Sequence, residues 1–205
     1  MAQMIEIQKV LVDPRTLSAR VRIADGAPLY TDEDPDATNR VMDLLPELAD
    51  HACTGDSSAL FGEVVDSTDV AHLLEHVSVE LMARTQLAGD ISMGRTRELE
   101  DDPRAYLIQL DCPDDVLTAA ALSSAAWVME WAFGGGGDPV PDVDGIVSGL
   151  VGLVDYLDNA AAPAEEPAPE AEPADDGALV EEAPEAEQPD ASIEEEFAPD
   201  YIPED

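Results

Sequence analysis

The chain has 205 residues, 47 of them Asp or Glu and 9 Lys or Arg, for a formal charge of −38 with histidine neutral. That length suits one ordinary domain and is too short for a large multi-module synthetase. The charge argues against nucleic acid and anionic membranes, which need positive potential to meet them, and favours positively charged partners.

Residues 5–12 and 17–24 show apolar alternation, with Asp13-Pro14 and Asp25-Gly26 after them, which predicts two strands in a hairpin. Residues 32–36 predict a capping loop, and Val41, Leu44, Leu45 and Leu48 a helix to about His51. Residues 54–58 read as a loop. Asp66 to Asp69 offer N-caps for a helix whose stripe is Val70, Leu73, Leu74, Val77 and Leu81, and Ala88-Gly89 is its expected stop. Residues 91–97 and 104–111 predict a second strand pair around an acidic turn at 98–103. Pro113 suits the first turn of an alanine-rich helix to Phe133. Trp127 and Trp131, four apart on it, read as core or interface.

Residues 134–137 read as a glycine break, followed by an amphipathic helix to 158 weakened by Gly145, Gly149 and Gly152. Residues 159–205 contain 17 acidic residues, 8 prolines and no lysine or arginine, so disorder is expected, as a solubilising tail or an acidic docking arm for a protein partner. The fold class predicted is α+β, an antiparallel sheet with helices packed on one face, ahead of that tail. Its boundaries are 1–133, 134–158 and 159–205. No basic-then-apolar leader opens the chain and no apolar run reaches about 18 residues, so a cytoplasmic protein with no membrane span is expected. Cys53 and Cys112 make no disulfide framework and read most simply as small buried hydrophobes.

The three histidines are His51, His72 and His76, and the last two frame an H-x-x-E-H sequence on the predicted helix. Residues i and i+4 project from one helix side, so both imidazoles can meet one zinc ion, and Glu75 beside them can take a proton from water. At about 100° per residue this face lies roughly opposite Val70, Leu74 and Leu81. The simpler reading is the polar side of an amphipathic helix. A catalytic zinc also needs a third protein ligand, for which His51, Cys53, Asp115 and Glu130 are the candidates. Arg95 and Arg97 share one face of their strand, with Gly94 permitting close backbone approach; they either bind substrate carboxylates or neutralise nearby Glu98, Glu100 and Asp101.

Taken in order, Leu45-Pro46-Glu47-Leu48 with His51 and Cys53, then His72 to Leu81, Leu87-Ala88-Gly89 and Gly94-Arg95-Thr96-Arg97, resemble the N-terminal domain of cyanophycin synthetases over about residues 1–133. The resemblance implies contact with cyanophycin, an aspartate backbone carrying arginine side chains. In some members it also implies a zinc metallopeptidase that cuts this polymer. Carried over, His72 and His76 would hold zinc, Glu75 would be the general base, and Arg95 and Arg97 would position the polymer. The synthetase's ATP-grasp and ligase modules have no counterpart in these residues, so a stand-alone domain is expected. Ser67-Thr68-Asp69 replaces the family's Gly-Thr-Trp, about three residues are added around 83–86, and residues 54–60 replace a glycine-rich stretch. These departures bear on substrate more than on fold.

The expectation is therefore a zinc-dependent peptidase-like domain acting on cyanophycin or another arginine-containing peptide. The alternative is a non-catalytic binding or assembly module of the same fold for a basic partner.

Overall fold

Strands β1 (Ile5–Asp13) and β2 (Thr16–Ile23) form the expected hairpin, and β3 (Gly94–Leu99) and β4 (Asp102–Asp111) form a second one. The computed structural model describes residues 3–53, 60–89, 91 and 94–161. The expected loop at 54–58 and the acidic tail beyond 161 lie outside the described residues. The turn between β3 and β4 is shorter than expected, because Asp102 and Pro103 already belong to β4.

The sheet runs β1-β2-β4-β3 with every pairing antiparallel. Its register aligns Ala19, Ile108 and Thr96 across β2, β4 and β3. Leu17, Ala19, Val21, Ile23, Ile108 and Leu110 are fully buried. The residues between them on β2 (Ser18, Arg20 and Arg22) are only half-buried. That alternation is the mark of a sheet with one face on the core and the other facing water.

Helix α1 (Pro35–Leu44) is capped by Asp34, whose carboxylate accepts from Ala37 N at 3.0 Å. It ends earlier than expected. Proline disfavours helical geometry in the residue before it and has no N–H to continue the ladder, so Leu45 leaves the helix and Pro46–Asp50 forms a 3₁₀ turn. Helix α2 (Val70–Thr85) stops at Gln86, which takes the left-handed conformation at φ 61°, rather than at Gly89. Its expected amphipathic character is corrected by the structure: 13 of its 16 residues are buried, including Glu75, His76, Ser78 and Glu80. The sheet, the helices at Asp115–Phe133 and Val143–Ala161 and the 3₁₀ turn at Pro46–Asp50 all pack against it.

Helix α3 (Asp115–Phe133) begins at Asp114, which accepts from Leu117 N at 2.7 Å, so Pro113 precedes the cap instead of sitting in the first turn. Against the expectation from the sequence, α3 is long and apolar enough by composition to cross a membrane. In the fold it is a core helix that packs on α2, β1 and β2. Helix α4 (Val143–Ala161) sets Val143, Leu150 and Val154 into the same core and runs three residues past its expected end at 158.

Candidate metal centre

The start of α2 is tied to the segment before α1. Val70 N donates to Leu29 O at 2.8 Å, Thr31 N to Thr68 O at 2.9 Å, and Thr68 N to Thr31 Oγ1 at 2.9 Å. These bonds place Thr68 Oγ1 2.8 Å from His72 Nδ1. One turn later His76 lies on the same side, its Nε2 3.1 Å from His72 Nε2. Phe61 stacks on the His76 ring at a centroid distance of 3.9 Å and meets His72 edge-on at 5.3 Å.

Cys53 completes the group. Phe61 N donates to His51 O at 2.9 Å and Ala52 bridges to Leu60, which folds residues 51–53 back over α2. Cys53 Sγ thereby lies 3.5 Å from His72 Nε2. The ligand atoms of Cys53, His72 and His76 all fall within 4.8 Å of one another and could hold a metal ion. Bond lengths of roughly 2.05 Å to nitrogen and 2.3 Å to sulfur give tetrahedral edges of about 3.3 Å for N···N and about 3.6 Å for N···S. The two edges measured, 3.5 Å from Cys53 Sγ to His72 Nε2 and 3.1 Å between the two Nε2 atoms, lie close to these values.

The other candidates for third ligand stand elsewhere. Glu130 Oε1 accepts from Met4 N at 2.5 Å and Ile5 N at 2.7 Å, joining α3 to the start of β1, where the backbone has no strand partner for these donors. Asp115 lies at the start of α3 and accepts from its own neighbour, Val116 N, at 2.8 Å. His51 borders the centre without facing into it. Its Nδ1 is 3.2 Å from His76 Nδ1, the ring nitrogen turned away from Cys53 and His72, and its Nε2 is 2.8 Å from Glu80 Oε2. Cys112 is buried outside this group, with its N–H on Arg15 O at 2.9 Å.

Glu75 is 3 % exposed and faces β3, where Thr96 Oγ1 donates to its Oε2 at 2.6 Å. Burial pushes its carboxyl up to about 7 against the opposing hydrogen bonds from Thr96 and the Gly94 backbone. Burial lowers the His76 imidazole to about 3, helped by the neighbouring His72 and His51. A neutral imidazole is the form that binds metal.

The model of the cyanophycin synthase-like N-terminal domain matches residues 20–131. The chain belongs to that family. A cyanophycin synthetase of Crocosphaera subtropica (strain ATCC 51142 / BH68) is 29% identical over 97 residues, which make up 47% of this chain and 11% of that relative's length.

Within this cyanophycin synthase-like domain, the structure does not bring every residue singled out in the sequence to one place. Arg95 and Arg97 do share a face, but Thr96 between them points at Glu75. The two arginines are exposed on the helix-free side of the sheet, and among the described residues neither forms an ion pair. Trp127 is 51 % exposed rather than core. With Trp131, Phe133, Met4 and Pro28 it lines a cleft of about 680 Å³ that none of the metal-centre residues touches. Glu80 is the residue that sequence reasoning missed. Its only signal was a carboxylate one turn beyond His76 on the same helix side.

Proposed function

We propose that this cyanophycin synthase-like domain is a zinc-dependent peptidase acting on cyanophycin or another arginine-containing peptide. The observation that carries the reading is the convergence of one ligand atom each from Cys53, His72 and His76 within 4.8 Å, the two histidines lying on the helix that also carries buried Glu75. One thiolate with two imidazoles is a donor set for zinc rather than for magnesium or calcium. Three protein ligands leave a fourth position open, as catalytic sites require.

A zinc ion held there supplies Lewis-acid polarisation of a carbonyl and acidifies water. The chain's own groups do the rest. Glu75, brought near neutrality by burial, takes a proton from the attacking water on a carboxylate oxygen and passes it to the leaving amine. Thr96 and the Gly94 backbone hold that carboxylate in one orientation. The substrate class comes from the relative's name, cyanophycin synthetase, and from charge. Residues 1–158 carry 30 acids against 9 bases, a balance of −21 that attracts an arginine-bearing polymer.

The test is metal analysis of the purified chain followed by incubation with an aspartate–arginine polymer. Zinc at one equivalent and release of shorter chains are expected. Glu75→Gln should keep the zinc and lose about 10²–10⁴-fold in cleavage rate. Cleavage that survives this change removes Glu75 from the mechanism, and a wild-type chain that retains no metal ends the reading.

One observation favours a second reading, a non-catalytic binding module of the same fold. Arg95 and Arg97 project from the sheet face opposite Glu75, so a polymer resting on them does not also lie over the metal centre. Polymer binding that depends on Arg95 and Arg97, with no cleavage in the zinc-loaded chain, would decide for it.

A further inference from the structure

We propose that Glu80 and His51 form a hydrogen-bonded relay that fixes His76 as its Nδ1–H tautomer and so presents His76 Nε2 to a metal ion. The inference rests on reading Cys53, His72 and His76 as a metal centre, and it concerns residues outside that set. Its starting point is Glu80. Arg84 Nε donates to Glu80 Oε1 at 2.6 Å and its guanidinium also pairs with Glu47. Arginine is a permanent cation, so the carboxylate it holds is ionised and can only accept.

The remaining protons follow in sequence. Glu80 Oε2 lies 2.8 Å from His51 Nε2, so that nitrogen carries the hydrogen. In its neutral form His51 has this one N–H, which leaves its Nδ1 with a lone pair. His51 Nδ1 faces His76 Nδ1 at 3.2 Å, so the hydrogen between them belongs to His76. His76 Nε2 is then an open lone pair directed at His72 Nε2, 3.1 Å away. The arrangement extends the carboxylate–histidine–metal pattern by one imidazole, and the stacked Phe61 ring holds the plane of His76. Glu80 and His51 are positioning residues, since neither belongs to the group that could hold the ion.

The geometry makes Glu80→Gln a directional test. Arg84 requires an acceptor at Oε1, so the amide oxygen stays with Arg84 and the amide NH₂ faces His51 Nε2. The relay then reverses: His51 Nδ1–H donates to His76 Nδ1, and the hydrogen on His76 moves to Nε2, where it blocks the ion. In the full-length, chelator-treated chain, ¹⁵N-resolved NMR of the histidine rings should show His76 protonated on Nδ1 in wild type and on Nε2 in Glu80→Gln. Competition titration should find zinc bound about 10–100-fold more weakly by the variant. Glu80→Asp, which keeps an anionic acceptor, should retain the wild-type tautomer.

A wild-type His76 protonated on Nε2 overturns the relay, as does a Glu80→Gln chain with unchanged tautomer and zinc affinity. Should Glu80→Gln fail to fold, the wild-type tautomer alone decides. Neither readout involves hydrolysis, so a chain that cuts no polymer refutes the peptidase reading and leaves this test standing.

Discussion

A Cβ placed on Gly94 would lie 2.6 Å from Cγ of Glu75 and 2.7 Å from its Oε1, so β3 and α2 meet at a point where only glycine fits. Glu75 is 3 % exposed and already accepts a hydrogen bond from Thr96 Oγ1 at 2.6 Å. Gly94→Ala must therefore displace the carboxylate or push the strand away. The expected cost is about 1–3 kcal/mol of stability, as for other overpacked sites. Cleavage should fall at least about tenfold with zinc content unchanged, since Glu75 is not a ligand. Urea midpoints and metal analysis read the two effects separately, and unaltered stability with unaltered cleavage would show that the contact constrains nothing.

Cys53 supplies the only sulfur of the proposed donor set. In the cobalt-substituted protein a thiolate ligand gives a charge-transfer band in the near ultraviolet, and Cys53→Ser should abolish it. Cys112→Ser should leave the band intact, because that thiol is buried away from the histidines. A band that persists in Cys53→Ser and disappears in Cys112→Ser would place the third ligand elsewhere.

Glu130 holds two backbone N–H groups at the start of β1. Glu130→Ala leaves both without their acceptor, at a cost of about 1–3 kcal/mol. Zinc stoichiometry should not change. Loss of metal from a variant that keeps its native circular dichroism would return Glu130 to the coordination sphere.

The carboxyl of Glu80 is held below its ordinary 4.5, first by the hydrogen bond from His51 and then by Arg84, against burial. A folded value beneath the unfolded one means that the unfolded chain binds the proton more tightly. Its contribution to stability is thus complete above about 4.5 and is lost as pH falls through the depressed folded value. In chelator, the stability gap between wild type and Glu80→Gln should be widest near neutrality and close on acidification below 4.5. A gap independent of pH would mean that the charge of Glu80 is not what matters.

Period-two alternation located both hairpins, and the i, i+4 spacing correctly placed His72 and His76 on one side of a helix. These patterns are legible because neighbours a few residues apart produce them. The corrections share one cause. The histidine side of α2 could be read simply as the polar side of an amphipathic helix because spacing tells which residues share a side and not what covers it; Phe61 stacks on His76, and Gly94 and Thr96 of β3 close against Glu75. Arg95 and Arg97 read as a pair, but alternation alone could not say that Thr96, rather than they, would face Glu75.

The order of apolar and polar residues was enough, by itself, to specify an α+β fold, its hairpins and two imidazoles one turn apart. Only tertiary structure brought Cys53, 19 residues upstream of His72, beside the two imidazoles, and sent Glu130 to the start of β1. Local periodicity follows from backbone geometry, whereas a ligand set depends on which distant segments close over the helix. That closure is decided by the packing of the whole core.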